Sequence, residues 1–176
     1  MRRLLLLRHA KTEQINKDTP ADRDRVLTER GRSDAPKVGQ AMQHRGYLPD
    51  LILCSTSART RQTLELAAAE FGSDIETQFA DAIYDARASE LLRLIQAQPD
   101  TKPRLLLVGH NPGFEDLAGA LVDEAEDSKA KARIEKMEEK FPTSALAVID
   151  FVVDRWRDVK PESGRLVDFI RPKDLD

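Results

Sequence analysis

Short apolar runs alternate along this chain with segments whose apolar residues recur at helical spacing. The runs Arg3–Leu7, Leu51–Cys54, Ile75–Phe79, Leu105–Val108, Ala145–Val153 and Arg165–Ile170 predict six strands. Leu4 to Leu7, an unbroken apolar run bounded by polar residues, reads as a strand buried on both faces. Between the first two runs, Ala35, Val38, Ala41 and Met42 mark one face of a helix that Thr28 can cap and that extends to Tyr47. A second helix is expected from Ser57 to Phe71 and a third from Ala88 to Gln98. Asn111 and Pro112 start a fourth, with Asn as cap and Pro at the first helical position.

This alternation predicts an α/β domain, a three-layer α/β/α sandwich around a mostly parallel six-stranded sheet. The Asp154–Gly164 loop, rich in Asp, Pro, Ser and Gly, joins the last two strands as an antiparallel hairpin and so implies one antiparallel edge strand. Asp123–Lys140 differs from its surroundings. It mixes charges of both signs over a thin stripe of Ile134, Met137 and Phe141, the pattern of a solvated helix resting lightly on the body; the alternative is a mobile flap over a site.

With 176 residues, 40% of them apolar and 34% charged, the chain fits one globular domain spanning residues 1–176. Its net charge of −3 supplies no global basic field, so neither nucleic acid nor a membrane surface is an expected partner and any anion site must be local. Cys54 is the only cysteine, which excludes an intrachain disulfide framework and a multi-cysteine zinc site and suits a reducing cytoplasm. Arg2 and Arg3 ahead of the leucines resemble the start of a secretory signal, but the run stops at Arg8, short of the roughly 7 to 15 residues such a segment needs. Aromatic content of 5% offers no large apolar interface, so a monomer is the default.

Chemistry gathers at the strand ends. The first strand runs into Arg8-His9, and in open α/β sheets ligands bind beyond the carboxyl ends of the strands. After the second strand, Ser57 can cap a helix whose first turn carries Arg59, near the positive end of the helix dipole. After the fourth, Gly109-His110-Asn111-Pro112 places a second histidine at a helix entry. Taken singly, Arg8 reads as a rim salt bridge, Arg59 as a surface charge and His110 as a turn residue. Three strand ends delivering Arg or His to one edge read as a phosphoryl-binding site with a nucleophile.

These residues resemble the histidine phosphatase superfamily, which includes the cofactor-dependent phosphoglycerate mutases, and within it the short branch typified by SixA-type phosphohistidine phosphatases. Arg8-His9-Ala10 is similar to the family's Arg-His-Gly signature. The likeness continues through Asp24–Gly31, Cys54-Ser55 to Arg59 with Gln62-Thr63, Val108–Pro112 and Phe141–Leu146. It implies that His9 is the nucleophile, that Arg8, Arg59 and His110 grip the phosphoryl oxygens, and that neither a metal nor another cofactor is needed. It implies a phosphorylated substrate, such as a phosphohistidine-bearing signalling protein or a small phosphorylated compound.

Two departures stand out. Ala10 replaces the glycine, a small change. The glutamate acid that many members carry after the third strand is missing from Ala80–Arg87, where only Asp81 and Asp85 offer a carboxyl. Protonation of an alkoxide leaving group is worth roughly 10²–10⁴-fold, so its loss favours a good leaving group, such as a phosphoramidate. Asp22, Asp24 and Arg25 form either the rim of the site or a brace for the Thr28 helix. A phosphomutase and a phosphate-recognising module without turnover are the alternatives, and substrate choice is assigned to the rim segments Asn16–Asp22 and Asp123–Lys140.

Overall fold

The computed structural model describes residues 1–19 and 21–176; of the rim segment Asn16–Asp22, Pro20 lies outside the described residues. Strands β1 (Arg2–Arg8), β2 (Leu51–Cys54), β3 (Glu76–Phe79), β4 (Arg104–Gly109), β5 (Leu146–Phe151) and β6 (Gly164–Ile170) form one sheet in the order β3-β2-β4-β1-β5-β6. The first four are mutually parallel. The predicted hairpin does make one margin of the sheet. Its antiparallel member is the inner strand β5, paired to β1, whereas the edge strand β6 reverses once more and regains the direction of β1.

Why β1 consists of leucine follows from its place. It lies between β4 and β5 and is covered on both faces, so every side chain from Leu4 to Leu7 is buried. Leu4 and Leu6, with Leu105 and Leu107, pack beneath helices α3 (Ala88–Gln96) and α4 (Gly113–Leu121), against Leu91, Ile95, Phe114 and Leu117. Leu5 and Leu7 face the other way, with Leu106 and Val108, toward α1 (Glu29–His44) and α2 (Ala58–Ala68), against Val38, Met42, Leu64 and Ala67. Each fully buried leucine contributes about 2 kcal/mol of transfer free energy. Two helix layers around one sheet are thus encoded by the alternation of side chains along the central strands.

The helix starts follow the expected caps at two of three places. Thr28 accepts from the Gly31 amide at 3.0 Å, and Ser57 from the Thr60 amide at 3.4 Å. The third differs: α4 begins at Gly113, with Pro112 as the cap and a cis Asn111–Pro112 bond before it. The first bond of the helix ladder runs from the Asp116 amide to the Pro112 carbonyl, which makes Pro112 the half-in residue. Asn111 keeps part of its expected role, accepting from the Glu115 amide at 3.2 Å.

Helix α5 (Ser128–Glu139) is the mostly solvated helix predicted within Asp123–Lys140. Met137 and, just beyond the helix, Phe141 are buried, while Arg133 donates to the Leu166 carbonyl of β6 at 3.0 Å. Gly31 permits a close approach between α1 and the segment after β1: a Cβ there would lie 2.3 Å from the Lys11 carbonyl oxygen. Among the described residues no helix is long and apolar enough to cross a membrane.

Candidate active site

The main chain leaving β1 is tied from three sides. The Arg8 amide donates to the Ala145 carbonyl at 3.1 Å and the His9 amide to the Gly109 carbonyl at 3.0 Å. Ser144, in the left-handed region at φ 63°, turns its amide onto the carbonyls of both Arg8 (3.2 Å) and His9 (3.0 Å). The Ala10 amide donates to Thr63 Oγ1 at 2.9 Å, and that hydroxyl donates onward to the Arg59 carbonyl at 2.7 Å. Residues 8–10 are therefore positioned by β4, by the entry to β5 and by α2.

His9 is 8% exposed, and its Nδ1 lies 2.8 Å from the Ala10 carbonyl oxygen. A carbonyl only accepts, so Nδ1 carries the proton of the neutral ring and Nε2 keeps its lone pair. Burial pulls the imidazole down to about 3, with the positive neighbourhood of His110, Arg8 and Arg59 adding to the effect against the Ala10 bond. Proton and lone pair are thus assigned to opposite sides of the ring at neutral pH.

His110 faces it, the two ring centroids 5.4 Å apart and tilted by 54°. Its Nε2 is 2.7 Å from the fully buried Ser55 hydroxyl, and its Nδ1 is buried without a partner among the described residues. Burial first, then the Arg59 charge, lowers this ring to about 4. Tyr84 stands edge-on against it at 5.4 Å.

The two arginines arrive from β1 and α2. Arg8 donates Nη1 to the Phe141 carbonyl at 3.0 Å, an acceptor it shares with Asn111 Nδ2 at 2.9 Å. Burial lowers the Arg8 guanidinium's proton affinity, opposed by Glu115 and assisted by Arg59. Arg59, in the first turn of α2 as predicted, donates to the Asp22 carbonyl at 2.8 Å and to Asp22 Oδ2 at 3.0 Å. The anion that Arg59 requires at a helix N-terminus is thus supplied from within the chain. Both guanidinium Nε atoms are buried and, among the described residues, unpartnered.

Arg8, His9, Arg59 and His110 are brought together; the other candidates divide. Asp22 joins the site's support: the Tyr84 hydroxyl donates to it, Arg25 lies 3.1 Å away, and these with Arg59 outweigh burial to hold the carboxyl down at about 2, the Tyr84 bond acting most strongly. Arg25 also braces the segment before α1, reaching Thr12 Oγ1 at 2.7 Å and the Glu13 carbonyl at 2.8 Å. Asp24 is exposed. Asp81 is exposed and already engaged by Thr56 and by Arg23 at 2.9 Å; the Thr56 hydroxyl and then Arg23 keep it ionised, so it is poorly suited to give up a proton. Asp85 is exposed, with φ at 56°. Sequence reasoning assigned no role to Ser55, Thr63, Tyr84 or Ser144. Ser55 directly follows β2, the same strand-end position that singled out His9 and His110, and could have been found on that ground. Tyr84 sits in the segment searched for a glutamate.

The assembled groups are a neutral imidazole with a free lone pair, a second neutral imidazole and two desolvated guanidiniums, a set that can accept a phosphoryl group and stabilise its oxygens. Among the described residues no three or more His, Cys, Asp or Glu side chains gather where they could hold a metal ion.

Comparison with known proteins agrees with this geometry. Residues 4–80 match the sequence profile of the histidine phosphatase superfamily (branch 1). An uncharacterized protein of Mycobacterium tuberculosis is 36% identical over 167 residues, 95% of this chain and 100% of the relative. A crystal structure from Agrobacterium tumefaciens, provisionally assigned as phosphohistidine phosphatase SixA, is 37% identical with a TM-score of 0.79, covering 97% of this chain and 98% of that one. The protein histidine phosphatase SixA complexed with tungstate shares the fold at a TM-score of 0.75 and 18% identity, over 99% of both chains.

Proposed function

Since the chain belongs to branch 1 of the histidine phosphatase superfamily, we propose that it is a metal-independent phosphatase working through a covalent phosphohistidine on His9. The observation that carries this reading is the 2.8 Å contact of His9 Nδ1 with the Ala10 carbonyl, which leaves Nε2 as the nucleophilic atom. The Nε2 lone pair forms the bond to phosphorus while the bond to the leaving group breaks, and the leaving group keeps the electron pair and takes its proton from solvent. Water then attacks phosphorus and loses a proton to solvent. The P–Nε2 bond breaks, phosphate departs and neutral His9 is restored. Arg8, Arg59 and His110 hold the phosphoryl oxygens through both steps. Their positioned charge suits a loose transition state in which little covalent assistance is needed.

The leaving group defines the substrate class. His110 is neutral at pH 7 and Asp81 is an ionised, exposed carboxylate, so neither supports the role of proton donor to an alkoxide. A phosphoramidate, whose nitrogen leaves readily once protonated, asks least of such a site. Protein phosphohistidine or a small activated phosphoryl compound is therefore the preferred substrate, and the name carried by the Agrobacterium protein supports the former. Rapid acid-free quenching after mixing with phosphoramidate should trap phosphate on His9, labile to acid and stable to base. The His9→Ala variant should carry none and lose turnover; undiminished hydrolysis by that variant would refute the assignment.

A further inference from the structure

A groove of about 590 Å³ opens beside the catalytic cluster, and Arg8 belongs to both. Its walls come from α1, from the end of α5 with the segment after it, and from the turn following β6. Seven of its lining residues are Lys or Arg and two are Asp or Glu, in a chain whose net charge is −3. Part of that charge is already satisfied: Arg30 lies 3.6 Å from Asp34, and Asp174 pairs with Arg171 at 2.9 Å and with Lys136 at 3.0 Å. Lys11, Lys140 and Lys173 are exposed, and among the described residues none has a carboxylate partner.

We propose that this groove receives a carboxylate-rich segment of a protein substrate, flanking the side chain whose phosphoryl group enters the catalytic cluster. The inference rests on the reading of that cluster as a phosphatase site and specifies what surrounds the phosphorylated residue. Three lines favour an acidic protein segment. The volume accommodates several side chains rather than one phosphate. The unpaired cations are separate lysines contributed by three segments, point charges suited to a diffuse acidic surface, while the Arg171 fork that would grip a second phosphate is already closed on Asp174 by two bonds of 3.1 and 2.9 Å. Among the described residues no aromatic side chain lines the groove, so bases of a nucleic acid would find no stacking platform.

The test is direct binding, read by fluorescence anisotropy, of three labelled peptides with a central unphosphorylated histidine flanked by Glu, Gln or Lys. An oligonucleotide matched in charge to the Glu peptide serves as competitor. The Glu peptide should bind at low salt, release as salt rises and outbind the Gln peptide. The Lys140→Glu/Lys173→Glu variant should bind the Glu peptide on the order of tenfold more weakly and gain affinity for the Lys peptide. Both positions are exposed and unpaired, so the variant's thermal unfolding should match that of the unaltered chain. Equal binding of Glu and Gln peptides, indifference to the double substitution, or tighter binding of the oligonucleotide would each overturn the proposal. Because binding is measured without turnover and without His9 chemistry, its failure is distinct from failure to trap phosphate on His9.

Discussion

Burying two uncharged imidazoles should make this protein's stability fall on mild acidification. His9 is held at about 3 and His110 at about 4, against an ordinary value of 6.5. Above pH 6.5 the rings are neutral in both folded and unfolded chains and contribute no pH dependence. Below it, the unfolded chain takes up protons that the folded site refuses, and stability drops by about 1.4 kcal/mol per pH unit for each ring until its folded value is reached. By pH 5 that amounts to about 2 kcal/mol per ring and about 4 kcal/mol together, a large share of a typical domain's 5–15 kcal/mol. Urea unfolding at pH 7 and pH 5 measures it. Carboxylates also titrate over this range, so the comparison is with His9→Asn/His110→Gln, in which they remain and the imidazoles are gone. The unaltered protein should lose about 4 kcal/mol more than the variant between the two pH values. Parallel losses would refute the claim that the rings are buried neutral. By the same reasoning, the acid limb of the proposed catalysis should not fall near 6.5, since the His9 ring stays unprotonated well below it.

Two further outcomes follow from single contacts. Ser55→Ala strips His110 Nε2 of its partner at 2.7 Å, leaving a buried ring nitrogen unpaired; it should cost about 1–3 kcal/mol of stability and lower kcat toward an aryl phosphate more than it raises KM, and unchanged kcat would argue against a positioning role. Gly31→Ala would drive a Cβ to 2.3 Å from the Lys11 carbonyl; a loss of about 1–3 kcal/mol in thermal unfolding is expected, and an unshifted Tm would show that α1 can retreat without penalty.

The reach of sequence reasoning here follows the range of the interactions involved. The leucines of β1 declare a doubly covered strand because burial on both faces leaves no polar position, and Arg8-His9 and His110 are visible because they break apolar runs at the strand ends. Thr28 and Ser57 act within one turn of their own helices and were readable for that reason. The placement of β5 inside the sheet was not, because which strand pairs with β1 is decided by contacts about 145 residues away in sequence. The pairing of Asp22 with Arg59 and Tyr84, and of Thr63 with Ala10, joins segments 37 to 62 residues apart through side chains common on any surface. Asp81 shows the converse: its residue type fits a proton donor, yet Arg23 and Thr56, remote in sequence, commit it to another bond.

The main-chain bonds around His9 bear on how this site can move. The amides of Arg8, His9 and Ala10 all donate, to the Ala145 carbonyl, the Gly109 carbonyl and the Thr63 hydroxyl, and those acceptors belong to elements that complete the centre of the sheet and its cover. Freeing the main chain at His9 therefore requires breaking bonds to three separate elements together, which disfavours local fraying at this strand end. Hydrogen exchange at these amides should accordingly be slow, close to that of the central strands. The proposed reactive centre would then share the persistence of the central strands, leaving any adaptation to different substrates to the surrounding segments.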